Sequence, residues 1–313
     1  MRVIFNYDRY YRTSRSCAIA LGTFDGIHKG HRRLIAELKK QKERYGRQTI
    51  VYTFLTHPLQ VLAPEKAPSH IMLLDEKIKE FSGLGIDVLV LNSFDDFFLH
   101  QTPRVFMDHL YEKYKVKALV VGFNFRFGYK GMGDRSFLET EAGERGLDLI
   151  CVPPVRFEDQ IVSSTLIRGF LSDGRVEEAA RMLSKPYSIG GKIIHGYGRG
   201  KNMGFPTANL RFSNQKVIPK PGVYLTRCRL KGKQELLWGV TSVGWNPTFL
   251  TNRINIETHL LDFDGDLYDR VLTISFLVHL RDEMKFEKIS DLVDQIQQDV
   301  KNAKKLIYIS RWL

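Results

Sequence analysis

Cysteine is scarce. The 313 residues hold three, Cys17, Cys151 and Cys228, far apart and without the close spacing of a metal site. That excludes a disulfide framework and a zinc module, and fits a reduced, cytoplasmic setting. Long apolar runs are missing as well. No stretch approaches the roughly 20 residues of a membrane helix, and the opening Met-Arg-Val-Ile-Phe-Asn-Tyr-Asp does not read as a signal peptide. There is no internal repeat, and no basic stripe interleaved with aromatics. The net charge of +12 therefore reads as lysines and arginines scattered among acids on helix faces, a background field rather than a nucleic-acid surface. What remains is an ordinary globular composition, 43% hydrophobic and 26% charged, at a length that suggests two domains with a core each. The expected partners are small molecules, with no nucleic acid and no membrane.

One stretch organises the first half: Cys17-Ala-Ile-Ala-Leu-Gly-Thr-Phe-Asp-Gly-Ile-His-Lys-Gly-His31. Residues 17–21 are uniformly apolar, the mark of a strand buried on both faces. Beyond them Leu34, Ile35 and Leu38 fall at helical spacing. Glycines at a strand-to-helix turn let backbone approach a ligand, and the first helical turn offers unpaired N–H groups suited to phosphate. His28 and His31, three apart with Asp25 nearby, are placed to face that anion. The plainer alternative is that the histidines cap the helix.

Strands are expected at Thr49–Phe54, Asp87–Leu91, Ala118–Val121 and Asp148–Val152, alternating with helices near Asp75–Leu84, at Pro103–Tyr114 and up to Arg145. That alternation predicts a parallel sheet with right-handed crossovers. The unusual residues, Gly22–His31, His57-Pro58, Asn124-Phe-Arg126 and the segment after Pro154, all follow strands. They should therefore converge on the carboxyl edge, where such sheets bind ligands. Val162-Ser-Ser-Thr-Leu-Ile-Arg168 places hydroxyls where they can cap a helix and Arg168 on its first turn, suited to phosphate oxygens. Another helix spans Arg175–Leu183, and Ser184-Lys-Pro-Tyr187 looks like the domain boundary.

From Ser188 the pattern becomes strands and tight turns: Ser188–His195, Gly222–Leu230, Glu235–Val243, Ile254–Leu261 and Leu267–Leu277. Lys231-Gly232 marks a turn and Asp264-Gly265 reads as a hairpin signal. An antiparallel barrel, closed or nearly so, is expected. A terminal helix follows, with Ile289, Leu292, Val293, Ile296 and Val300 on one face. Gly196-Tyr-Gly-Arg-Gly-Lys-Asn-Met-Gly204 is glycine-rich but not a P-loop, because its lysine does not precede Ser or Thr at a helix start. Thr207 and Asn209, two apart on an extended segment, either form part of a magnesium shell or bond their own backbone. Glu257 on an alternating strand either points into the barrel, where a carboxylate must be paired or working, or faces solvent.

These residues resemble a known family. Gly22-Thr-Phe-Asp-Gly-Ile-His-Lys-Gly-His31, Gly122-Phe-Asn-Phe-Arg-Phe-Gly128 and Ser163-Ser-Thr-Leu-Ile-Arg168 resemble the adenylyltransferase half of bacterial bifunctional FAD synthetases. Gly204-Phe-Pro-Thr-Ala-Asn209, Gly244-Trp-Asn-Pro-Thr-Phe249 and Glu257-Thr-His-Leu-Leu-Asp-Phe-Asp-Gly-Asp-Leu-Tyr268 resemble the riboflavin kinase half. The resemblance implies a Rossmann-like α/β nucleotidyltransferase domain over 1–184 and a β-barrel flavokinase domain over 185–313. It implies riboflavin plus ATP giving FMN, then FMN plus ATP giving FAD and pyrophosphate, with Mg²⁺ and without a covalent enzyme intermediate.

Carried over residue by residue, His28, His31 and Arg168 act on phosphates, with Gly22, Phe24, Asp25, His57, Asn124, Arg126, Ser164 and Thr165 completing that site. Glu257 activates the ribityl hydroxyl, and Thr207 and Asn209 hold the metal. Gly200, Lys201, Gly204 and Pro206 lie along the ATP side, and Arg281 and Phe286 match a flavin-side flap. Three positions depart from the commonest pattern. Asn124 stands where many members have Asp, Lys201 replaces a frequent Arg, and Asp269 stands where Gly is common. The competing expectations are a different nucleotidyltransferase sharing the HxGH element and an enzyme with one working half. The first would need a lysine-rich second signature and a helical C-terminal domain.

Overall fold

The apolar run Cys17–Leu21 becomes the centre of a parallel sheet. Six strands, β1 (Arg2–Phe5), β2 (Cys17–Leu21), β3 (Gln48–Phe54), β4 (Val88–Asn92), β5 (Val116–Gly122) and β6 (Asp148–Val152), lie in the order β1-β4-β3-β2-β5-β6. Every pairing is parallel. The intervening helices are α1 (Lys29–Tyr45), α2 (Leu59–Leu62), α3 (Leu74–Gly83), α4 (Asp96–Leu99), α5 (Pro103–Tyr114) and α6 (Arg135–Arg145). The period of two along each strand sorts the core into two layers. Ala18, Ala20, Val51 and Leu89 meet Leu34, Ile35 and Leu38 of α1 and Phe81 of α3. Ile19, Leu21, Tyr52 and Val90 meet Phe106 and Leu110 of α5 and Leu138 of α6. Because β3 and β5 flank β2 on opposite sides, the winding reverses beside β2, and the carboxyl end of β2 is where such sheets bind ligands.

The computed structural model describes residues 1–5, 11, 13–196, 200, 203–245 and 254–310. These form two compact units, Met1–Ser164 and Thr165–Leu313. A two-stranded hairpin, β7 (Arg156–Phe157) with β8 (Gln160–Ile161), closes the first. The helices α7 (Ser164–Ser172, beginning on the last residue of the first unit) and α8 (Val176–Leu183) lead into the second, ahead of the change of texture at 184.

The second unit is a closed barrel of β9 (Ser188–Ile194), β10 (Ala208–Phe212), β11 (Gly222–Leu230), β12 (Leu237–Trp245), β13 (Ile254–Leu260) and β14 (Val271–Asp282), in the order β10-β13-β12-β11-β14-β9. All its pairings are antiparallel. Lys231-Gly232 does join paired strands, β11 and β12. Asp264-Gly265 does not: β13 and β14 are not neighbours, so the hairpin expected there is a crossover between separated strands.

The last strand starts later than expected and runs on past Leu277, through two register shifts opposite β11. The displaced residues form a turn in which Asp269 takes φ 63°. Such a position suits glycine, and Asp, which tolerates the left-handed region, can take it. Asp269 is also fastened by Lys192, 2.8 Å away.

The terminal helix α9 (Ile289–Ser310) covers the barrel with Val300, Ala303, Leu306 and Ile307 against Val223, Leu225, Val240 and Leu277. Ile289, expected on that face, is 73% exposed at the helix start. Among the described residues no helix is long and apolar enough to cross a membrane.

Candidate active sites

The loop between β2 and α1 is held in an uncommon conformation by its own side chains. Phe24, Gly26 and Ile27 take φ values of 50°, 84° and 43°. For the two non-glycine residues this costs on the order of 1–3 kcal/mol each. Burial offsets it: Phe24 and Ile27 are fully buried, and Phe24 packs edge-on against Phe81, ring centroids 5.5 Å apart.

The Asp25 carboxylate accepts the backbone N–H groups of Ile71 and Met72 at 3.2 and 3.1 Å. Ser164 Oγ donates to the Asp25 carbonyl at 2.9 Å. From below, Thr53 Oγ1 and Lys77 Nζ both donate to the Thr23 carbonyl at 3.0 Å. Phe24 and Asp25, expected as ligand contacts, are fixed within the loop itself. Both are buried and shape the loop. Lys77 and Thr53 were missed. Lys77 was readable, since Leu74, Lys77 and Phe81 share one helical stripe and a lysine on a buried stripe has something to hold.

His28 and His31 stack at 3.7 Å between ring centroids. His28 does cap α1: its Nδ1 accepts the His31 backbone N–H at 3.3 Å. The capping and phosphate readings are compatible, because an accepting Nδ1 leaves the ring proton on Nε2 as a donor. Burial pushes the His28 imidazole down to about 4 against the pull of Asp25. Burial, then His28 and Lys77, hold His31 well below the usual range. Both rings are neutral near pH 7, and a neutral ring offers one N–H donor. His31 Nδ1 is buried without a partner among the described residues.

His57 follows β3 and Asn124 and Arg126 follow β5, on the expected carboxyl edge. Their side chains are engaged locally: His57 Nδ1 accepts from the Leu59 N–H at 3.2 Å, and Arg126 donates to the Gly131 carbonyl at 3.4 Å. Gly22 lies against the Phe24 ring, where an added Cβ would sit 3.1 Å from it. Thr165 and Arg168 fall in the second unit, on α7.

The second site lies on the outer face of the barrel. Along β13, Ile256, Thr258 and Leu260 are buried, and Asn255, Glu257 and His259 alternate with them on the other side. Of the two placements left open for Glu257 the outward one is observed, yet the carboxylate is not simply solvated. The pairing of β10 with β13 sets Asn209 opposite Glu257. Thr207 Oγ1 donates to Glu257 Oε2 at 3.2 Å. Asn255 Nδ2 donates to Glu257 Oε1 at 2.6 Å and to Asn209 Oδ1 at 3.4 Å.

Glycines crowd this group: a side chain at Gly196 would run into the Asn209 amide, and one at Gly200 into the Phe205 carbonyl. Gly204 takes φ 83° and the Pro206 carbonyl lies 2.9 Å from His259 Nδ1. Lys201 and part of the Gly244–Phe249 motif lie outside the described residues.

Arg281 is committed elsewhere: its Nη2 and Nε reach the buried Asp299 carboxylate of α9 at 2.8 and 2.9 Å, with Gln295 on the same carboxylate. Arg281 thus ties β14 to the terminal helix, a pairing that no spacing in the sequence announces. Phe286 lies half-buried after β14. Asn255 was also missed, although its place two residues before Glu257 on a strand put both on one face.

Residues 11–166 match the FAD synthetase family and residues 183–307 the riboflavin kinase family. A bifunctional riboflavin kinase/FMN adenylyltransferase of Bacillus subtilis is 35% identical over 290 residues, covering 91% of this chain and 90% of that protein. One of Escherichia coli K12 is 33% identical over 296 residues, 94% of each. A solved structure from Streptococcus pneumoniae, described as a macrolide-efflux protein, aligns with a TM-score of 0.87 at 29% identity, covering 97% of this chain and 99% of that one. Its fold is shared, and the efflux description stays with that protein.

Proposed function

This chain belongs to the bifunctional riboflavin kinase/FMN adenylyltransferase family, and from that premise we propose how its residues divide the two reactions. It phosphorylates riboflavin to FMN and adenylylates FMN to FAD, with ATP as co-substrate of both steps. We assign adenylyl transfer to residues 1–184 and the kinase to 185–313. The family matches, which end at 166 and begin at 183, support that boundary.

In the kinase, Glu257 takes the proton of the terminal ribityl hydroxyl. The freed oxygen pair forms the bond to the γ-phosphorus, and the bond to the bridging oxygen breaks with its electrons leaving on ADP. The observation that carries this is the cluster of Thr207, Asn209 and Asn255 around a single carboxylate.

Thr207 Oγ1 and Asn209 Oδ1 would hold magnesium. They fit it, being hard oxygens turned toward Glu257, for a cation that keeps water and phosphate oxygens as its other ligands. When bound, the ion offsets charge on the transferred phosphoryl group. Gly200, Lys201, Gly204 and Pro206 line the nucleotide side.

In the adenylyltransferase, an FMN phosphate oxygen attacks the α-phosphorus of ATP, and pyrophosphate leaves with the electrons of the broken bond. His28 Nε2–H and His31 stabilise the phosphate oxygens in line, with no covalent enzyme intermediate. His57, Asn124, Arg126 and Ser164 complete the site. Three free thiols, Cys17 and Cys228 buried, support work in the reducing cytoplasm.

Thr207→Val tests the metal assignment. The Mg²⁺ concentration for half-maximal FMN formation should rise at least about tenfold, and Mn²⁺ bound in the presence of ADP, read by electron paramagnetic resonance, should weaken in parallel. An unchanged metal dependence would remove Thr207 from the shell.

A further inference from the structure

The carboxylate of Glu257 has two inequivalent oxygens. Oε1 receives the 2.6 Å bond from Asn255 Nδ2, and Oε2 receives the 3.2 Å bond from Thr207 Oγ1. The Asn255 amide also reaches Asn209 Oδ1 at 3.4 Å. Both neighbours of this amide are acceptors, so only the nitrogen can face them, and one side chain ties the base to a candidate metal ligand. The strand register makes the tie possible. Asn255 and Glu257 share a face of β13, and Gly244 and Ser242 of β12 stand opposite them. Gly244 leaves the neighbouring position open, and a Glu283 carboxylate oxygen occupies the space where its Cβ would be.

We propose that Asn255 is a positioning residue of the kinase, which holds Glu257 Oε1 as a permanent acceptor so that Oε2 receives the substrate proton, and keeps Asn209 Oδ1 turned toward the metal. The inference rests on the reading of Glu257 as the base. The arrangement serves both protonation states. When Oε2 is charged it accepts the ribityl proton. Once it carries that proton, Oε1 is a carbonyl oxygen that still accepts from Asn255, so the amide need not rotate during turnover. The Asn255 amide touches both Glu257 and Asn209.

The test is a split of kcat from KM with rescue by a conservative variant. In Asn255→Ala, kcat for FMN formation should fall about ten- to a hundredfold with KM for riboflavin little changed. Asn255→Ser, which keeps a short donor, should recover part of the loss, and Asn255→Leu, of similar size but without a donor, should not. Circular dichroism and the thermal transition of the barrel report that each variant is folded. If the loss falls on KM, or if Asn255→Ser and Asn255→Leu lose kcat alike, Asn255 is structural only and the inference is overturned. It is equally overturned if nothing changes. If Glu257→Gln itself keeps making FMN, the underlying assignment of the base fails instead.

Discussion

Replacing Glu257 by Gln stops FMN formation while FAD formation from supplied FMN continues at the unaltered rate. The substitution preserves shape: the glutamine oxygen still accepts from Asn255, and Thr207 keeps a neighbour at 3.2 Å. What is lost is the capacity to take a proton, and general-base assistance is worth about 10²- to 10⁴-fold. The loss should fall on kcat rather than on KM, because riboflavin and ATP contacts are untouched. Flavin chromatography after incubation with riboflavin, ATP and magnesium reads both activities at once. A variant that retained more than about a tenth of its FMN formation would place the base elsewhere. The barrel itself should be unaffected, since β13 faces its core with Ile256, Thr258 and Leu260 and not with Glu257.

The mirror-image result is expected at His28. Asparagine there can still cap α1, so His28→Asn retains the bond to the His31 N–H and most of the stability, while the Nε2–H donor is gone. FAD formation should fall about 10²- to 10³-fold, the loss typical of one preorganised donor to a developing phosphate charge, with FMN formation unchanged. His28→Ala should lose activity equally and stability in addition, about 1 kcal/mol for the missing cap, seen as a lower melting temperature. The sign of the pH dependence follows from the neutral imidazole. With His28 depressed to about 4, FAD formation by the wild-type protein should not fall as pH drops through the ordinary histidine range. A loss centred near 6.5 as pH drops would mean that the ring titrates in the ordinary range, and one as pH rises that it works as a cation.

Much of this was legible because local chemistry and global position agree. The apolar run 17–21, the glycines after it and the two histidines required a buried strand, a tight turn and a helix start, and the structure has them in that order. The barrel too was announced by short alternating strands. What stayed hidden depends on partners distant in sequence. The packing of Phe24 on Phe81 and the bonds of Asp25 to the amides of Ile71 and Met72 join residues 46 or more positions apart. The pairing of Arg281 with Asp299 likewise joins a strand to a helix further along the chain.

The direction of Glu257 was undecidable from alternation alone, since a strand's two faces are equivalent until the neighbouring strands fix which is inside. Asp264-Gly265 carried a hairpin signal, but a turn's chemistry does not determine which strands pair when the barrel must close through others. The edge strand β1 and the five-residue β10 were too short to show a period.

The central claim is that one chain carries two separate sites that act in sequence through FMN. Its most direct measurement is a time course of the purified protein with riboflavin, ATP and magnesium, separating the flavins. The account predicts that FMN rises first and FAD follows at its expense, with pyrophosphate released only in the second phase. Riboflavin left untouched while added FMN becomes FAD would contradict the kinase site, and FMN that accumulates without FAD would contradict the adenylyl-transfer site.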